Sequence, residues 1–154
     1  MATIAGLRPS GRLLDIGCGR GELSYFLARQ GYRVTALDYS ADAIALTRSC
    51  FAEDPEALAR TEFICGDATQ APLEGPYQLA VASDVVEHLM PEENDQLFAR
   101  LSHLLAEDGI FVLHTYPNRW YYDREYPRRR AAVAALGGFL PPQPRSRYEL
   151  IVHP

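Results

Sequence analysis

The sequence predicts an α/β protein built on a parallel sheet, and three observations lead there. Short apolar runs alternate with stretches of helical spacing along the first 115 residues. Gly17, Gly19 and Gly21 follow the first apolar run directly. Asp38 then ends the second run, and Asp67 follows the third, so polar groups gather where strands finish. Such alternation gives right-handed βαβ crossovers and a three-layer α/β/α sandwich.

Pro9-Ser10-Gly11 forms a turn before the first strand, Arg12–Ile16, which reads as buried. Glycine suits the turn that follows, because it tolerates positive φ and lets the backbone approach a ligand closely. Glu22 to Gln30 is helical, with Leu23, Phe26 and Leu27 on one face. Strand, glycine turn and helix together place a small nucleotide-like ligand at the carboxyl end of a parallel sheet.

The second strand is Arg33 to Leu37, ending at Asp38. Ser40 is a good N-cap for a helix over Ala41–Cys50, with Asp42 in its first turn. Pro55 starts a helical turn through Ala59, and the third strand is Glu62 to Cys65. A connection containing Pro72, Gly75 and Pro76 leads to the fourth strand, Gln78 to Ala82. Pro91 to Leu105 is an amphipathic helix with Leu97, Leu101, Leu104 and Leu105 inward. Asp108-Gly109 is expected to end it, with a fifth strand over Ile110–Thr115.

Composition narrows the class. The 154 residues fit one domain, 47% hydrophobic, with no apolar run near the ~18 residues of a membrane helix. The start has no charged segment followed by an apolar core, so no secretory signal is expected. Cys18, Cys50 and Cys65 are odd in number and lack paired spacing, which fits a reducing, cytoplasmic setting and argues against a metal site of the CxxC type. All 15 basic residues are arginine. Residues 1–117 carry a balance of −9 and residues 118–154 one of +4. The acidic part argues against general nucleic-acid binding.

Leu13-Leu14-Asp15-Ile16-Gly17-Cys18-Gly19-Arg20-Gly21 resembles motif I of the class I methyltransferases that depend on S-adenosylmethionine (SAM), usually D-x-G-x-G-x-G. The G-x-G-x-G spacing differs from the G-x-G-x-x-G of dinucleotide folds. SAM carries no phosphate, so an acidic residue beside its cationic end is tolerable. Ser83-Asp84-Val85-Val86-Glu87-His88-Leu89 resembles the D-V-x-E-H-L of small-molecule methyltransferases, including the ubiquinone-biosynthesis O-methyltransferases. Tyr116-Pro117-Asn118 is similar to their T-P-N. The match runs over about residues 10–118, which divides the chain into a SAM-binding core, 1–118, and a basic, aromatic and proline-rich extension, 119–154.

The resemblance implies a Rossmann-like fold with strand order 3-2-1-4-5 and methyl transfer from SAM to a small molecule, oxygen favoured over nitrogen or carbon. It implies that Gly17, Cys18, Gly19 and Gly21 approach the methionine part of SAM and Asp15 its amino group. It further implies that Asp38 takes the ribose, that Asp67 and Ala68 meet the adenine, and that Tyr39 and Ser83 also contact the cofactor. The acceptor would approach over strands 4 and 5. There His88 serves as general base with Glu87, or both simply orient the loop by hydrogen bonds. If residues 84–88 were helical, Asp84, Glu87 and His88 would share one face and could hold a divalent cation. That arrangement resembles the RNA 3′-terminal 2′-O-methyltransferases, with His114 or His153 as remote ligand. No metal is assigned on this basis.

Trp120, Tyr121, Tyr122 and Tyr126 either cover a planar acceptor or form a satellite apolar cluster. The 39 residues after Thr115 read as a loop, a helix over Arg128–Leu136, the Pro141-Pro142-Gln143-Pro144 linker, and an edge strand at Arg147–Val152. The closing helix and antiparallel strand pair of the family are expected to be missing. Strand 5 would then be an open edge through which copies of the chain could associate. A minimal form, a shortened one, half of an assembly and a SAM-binding module without catalysis all remain open, with an NAD-binding module as a further alternative.

Overall fold

The computed structural model of the protein describes residues 10–142 and Gly6. Its strands are β1 (Arg12–Ile16), β2 (Arg33–Asp38), β3 (Thr61–Cys65), β4 (Tyr77–Ser83) and β5 (Leu105–His114). Its α-helices are α1 (Glu22–Arg29), α2 (Ala41–Cys50), α3 (Pro55–Ala59), α4 (Pro91–Leu104) and α5 (Tyr126–Ala135). The strands are all parallel and lie in the order β3-β2-β1-β4-β5, as the resemblance implies.

The two-residue period of β1 sorts its side chains between two cores. Leu13 joins Val34, Leu79 and Val81 under Leu27 of α1, Ile44 of α2 and Ala57 of α3. Leu14 and Ile16 face the other way, meeting Leu37, Ala80 and Ala82 under Leu97 and Leu101 of α4. Each fully buried leucine contributes roughly 1.5–3 kcal/mol by leaving water. This central placement makes β1 the strand that carries the site, since both its faces are sealed.

The helix starts follow local chemistry. Ser40 Oγ accepts from the amide of Ala43 at 3.3 Å, the cap read from the sequence. Asp54 Oδ1 does the same for Ala57 at 3.0 Å, ahead of Pro55. The Glu93 carboxylate accepts from the Met90 amide at 2.7 Å at the start of α4.

Two boundaries depart from the sequence expectation. α4 stops at Leu104 and β5 begins at once at Leu105, so Asp108-Gly109 lies inside the strand. Tyr77 pairs with Leu105 but Leu79 with Ile110, so β5 bulges opposite Gln78. Gly109 permits this close passage, because a Cβ there would stand 2.9 Å from the Tyr77 carbonyl oxygen. The last helix begins at Tyr126, continuing a π-helical turn at Tyr121–Glu125, not at Arg128. Pro127 is tolerated in its first turn, where the missing N–H has no helical partner to lose.

The strand expected at Arg147–Val152, and His153, lie outside the described residues. Among the described residues β5 is a sheet edge. No described helix is long and apolar enough to cross a membrane.

Candidate active site

The turn after β1 folds back on the end of β2. Both Gly17 and Cys18 donate their amide hydrogens to the Leu37 carbonyl, at 2.8 and 3.0 Å. Gly17, Gly19 and Gly21 take φ of 70°, 56° and 84°, the left-handed region in which a side chain is strained. What surrounds them differs. A Cβ on Gly17 would lie 2.5 Å from Val85 Cγ2, and one on Gly21 would lie 2.6 Å from Thr47 Cγ2. A Cβ on Gly19 would meet nothing nearer than the Gly17 carbonyl at 3.9 Å. The turn is therefore packed at its two ends and open at its middle.

Thr47, buried on α2, holds that middle from behind: its hydroxyl donates to the Gly19 carbonyl at 2.9 Å. The same hydroxyl lies 3.4 Å from Cys18 Sγ. Burial pushes the Cys18 thiol up to about 11, so it is a packed, unreactive group. Sequence reasoning passed over Thr47; its helical spacing gave it a place on α2 but no partner.

Asp15 points from β1 toward α1 and accepts from the Ser24 hydroxyl at 2.5 Å. Burial raises its pKa to about 6, with the Ser24 hydrogen bonds opposing and the Asp38 charge adding. Asp38, also buried, has both oxygens engaged: Oδ2 accepts from the Gly19 amide at 3.0 Å and Oδ1 from the Ser40 amide at 2.9 Å. A carboxylate offers about four acceptor sites, so two remain for ligand hydroxyls. Asp38 thus ties the glycine turn to the strand beside it.

The register of the sheet aligns the remaining candidates at its carboxyl edge, pairing Asp38 with Cys65 and Ser83 with His114. Asp67 follows β3 and is exposed, its Oδ1 accepting from the Thr69 amide at 2.7 Å and hydroxyl at 2.8 Å. Ala68 is half-buried, and its carbonyl accepts from Arg100 at 3.1 Å. Tyr39 stands out in solvent next to Asp38.

Beyond Ser83 the chain is not an α-helix. Asp84 has φ 56°, uncommon for any residue but glycine, and a 3-10 turn follows at Val86–His88. The shared face that a helix over residues 84–88 would have given Asp84, Glu87 and His88 is therefore absent, and the left-handed Asp84 turns its carboxylate elsewhere. It meets His114 instead, Oδ1 to Nδ1 at 2.9 Å, while the Asp84 amide donates to the His114 carbonyl at 3.0 Å. Among the described residues no three His, Cys, Asp or Glu are grouped to hold a metal ion.

Glu87 Oε1 accepts from the Tyr116 amide at 3.1 Å, and its Oε2 is buried without a partner among the described residues. His88 is exposed. Tyr116, half-exposed, stacks edge-on against Tyr121 at 4.8 Å, and Tyr121 continues to Tyr122 and Tyr126. The hydrogen bond with Tyr121 holds the Tyr116 phenol above its usual range.

The open middle of the glycine turn, a buried acid below it and a second acid at the end of β2 fit a ligand with a cationic end and a sugar, as SAM has. Residues 13–109 match the family described as "Methyltransferase domain". The chain is similar to the mitochondrial ubiquinone biosynthesis O-methyltransferase of Schizosaccharomyces pombe, 36% identical over 104 residues, covering 68% of this chain and 37% of that protein. It is similar to cyclopropane mycolic acid synthase MmaA2 of Mycobacterium bovis, 31% identical over 111 residues, covering 71% and 38%. Among solved structures, the glycopeptide N-methyltransferase MtfA superposes with a TM-score of 0.65 at 29% identity, covering 73% of this chain and 49% of that one. MtfA has been crystallised with SAM, with S-adenosyl-L-homocysteine and with sinefungin. The chain spans under half the length of these relatives.

Proposed function

The chain belongs to the class I SAM-dependent methyltransferases, and from that premise we propose that it transfers a methyl group from SAM to a hydroxyl of a small molecule. The observation that carries the reading is the glycine turn, open at Gly19 and tied by the Gly19 amide to the Asp38 carboxylate. Bound SAM would supply a methyl group on a sulfonium, a good leaving group.

The chain's own residues then bind and align. Gly17, Cys18, Gly19 and Gly21 give backbone contact to the methionine part, and Asp15 gives a buried negative charge to its ammonium. Asp38 offers its spare acceptor sites to the ribose, while Asp67, Ala68 and Tyr39 border the adenine. Ser83 borders the cofactor, and Glu87 and His88 border the acceptor, whose approach over β4 and β5 is walled by Tyr116 and the tyrosines behind it. Holding the two reactants in line contributes up to roughly 7–11 kcal/mol of barrier lowering in general, so alignment outweighs any single polar group. The preference for oxygen rests on likeness to the ubiquinone-type enzyme; the relatives also include a glycopeptide N-methyltransferase and a cyclopropane synthase.

Calorimetric titration of the purified chain with SAM and, separately, with NAD tests this. SAM binding in the micromolar range with no NAD response is expected. A folded chain that binds NAD and ignores SAM would refute the reading.

A further inference from the structure

Resting on the methyl-transfer reading above, we infer that His114, oriented by Asp84, is the base that takes the proton from the acceptor's hydroxyl. Three observations converge on the pair. It stands at the carboxyl ends of the adjacent strands β4 and β5, where the register sets Ser83 beside His114. Asp84 adopts its left-handed backbone there and makes two hydrogen bonds to the same residue, one from its amide and one through its carboxylate. Both side chains are more than half exposed, at 63% for His114 and 52% for Asp84, so the ring is reachable by a substrate.

The geometry selects the tautomer. A carboxylate oxygen only accepts, so the proton of the neutral ring lies on Nδ1 and the lone pair of Nε2 is left for an incoming hydroxyl. Asp84 is the positioning residue: it fixes ring and tautomer and stabilises the imidazolium once formed. The other titratable groups nearby serve less well. Glu87 already accepts from the Tyr116 amide, and the Tyr116 phenol is engaged with Tyr121. His88 is exposed in its turn with no side-chain hydrogen bond among the described residues to orient it.

The step balances within one proton and one methyl group. As the acceptor's O–H proton passes to His114 Nε2, an oxygen lone pair forms the new bond to the methyl carbon. The electron pair of the broken carbon–sulfur bond stays on sulfur and cancels its positive charge. The imidazolium then releases its proton to solvent, for which its exposure suffices.

Two readouts test the assignment. Long-range 15N NMR of the ring, on the chain alone, is expected to show the Nδ1–H tautomer, and Asp84→Asn is expected to shift it toward Nε2–H. Finding Nε2–H in the unaltered protein overturns the proposal. With catechol as the hydroxyl probe, His114→Gln is expected to lower kcat by ~10²–10⁴-fold while calorimetric SAM affinity stays unchanged. A fall in kcat below tenfold, or no transfer to catechol by a chain that binds SAM, overturns it. Failure to bind SAM would instead remove the methyl-transfer reading on which it rests.

Discussion

Asp15 is the residue at which folding and the proposed SAM binding oppose each other. Its folded pKa of about 6 lies above the ordinary carboxylate value of 3.8, so the native state binds this proton more tightly than the unfolded chain does. The sign follows: this contribution to stability is complete at low pH and is lost as pH rises from about 4 to about 6. Above that window the buried charge costs on the order of 3 kcal/mol. Asp15→Asn should therefore raise the melting temperature at pH 7.5 and lose that advantage at pH 4, as scanning calorimetry would show. The same variant should bind SAM at least tenfold more weakly at pH 7.5, because the ammonium of the ligand loses its counter-charge. Equal melting gains at both pH values would show that desolvation of Asp15 is not the cause.

At the scale of the element, the glycine turn separates packing from binding. Gly19→Ala and Gly21→Ala both place a side chain at positive φ, at roughly 1–2 kcal/mol each. Only the second also drives a methyl group into Thr47. Urea unfolding should thus show Gly21→Ala as the less stable protein. Gly19→Ala should remain folded but lose most SAM affinity, since its methyl group fills the open space of the turn. The reverse order would mean that the ligand does not approach at Gly19. The turn itself was legible in the sequence as glycine spacing, whereas its asymmetry was not. Thr47 and Val85 lie 26 and 64 residues beyond Gly21, and only folding brings them against it.

On the scale of the whole molecule, β1 and β4 are sealed on both faces while β5 leaves an edge open among the described residues. Hydrogen exchange should accordingly be slowest in β1 and β4 and faster along β5. Added SAM should slow exchange at Gly17–Gly21 and Asp38–Ser40, and slowing confined to α4 would contradict the site. The sequence alone determined the alternation of strands and helices, the cap at Ser40, the helix start at Pro55, and the clustering of polar residues after each strand. These are local matters of period, propensity and turn chemistry, legible within a dozen residues. Tertiary structure decided the rest. It turned Asp108-Gly109 from a helix stop into a bulge, because the approach of Tyr77 is a contact between strands. It also dissolved the helical grouping of Asp84, Glu87 and His88 and set Asp84 against His114, 30 residues away. Which side chains face each other across two strands depends on register, and register is a property of the packed sheet and not of either strand.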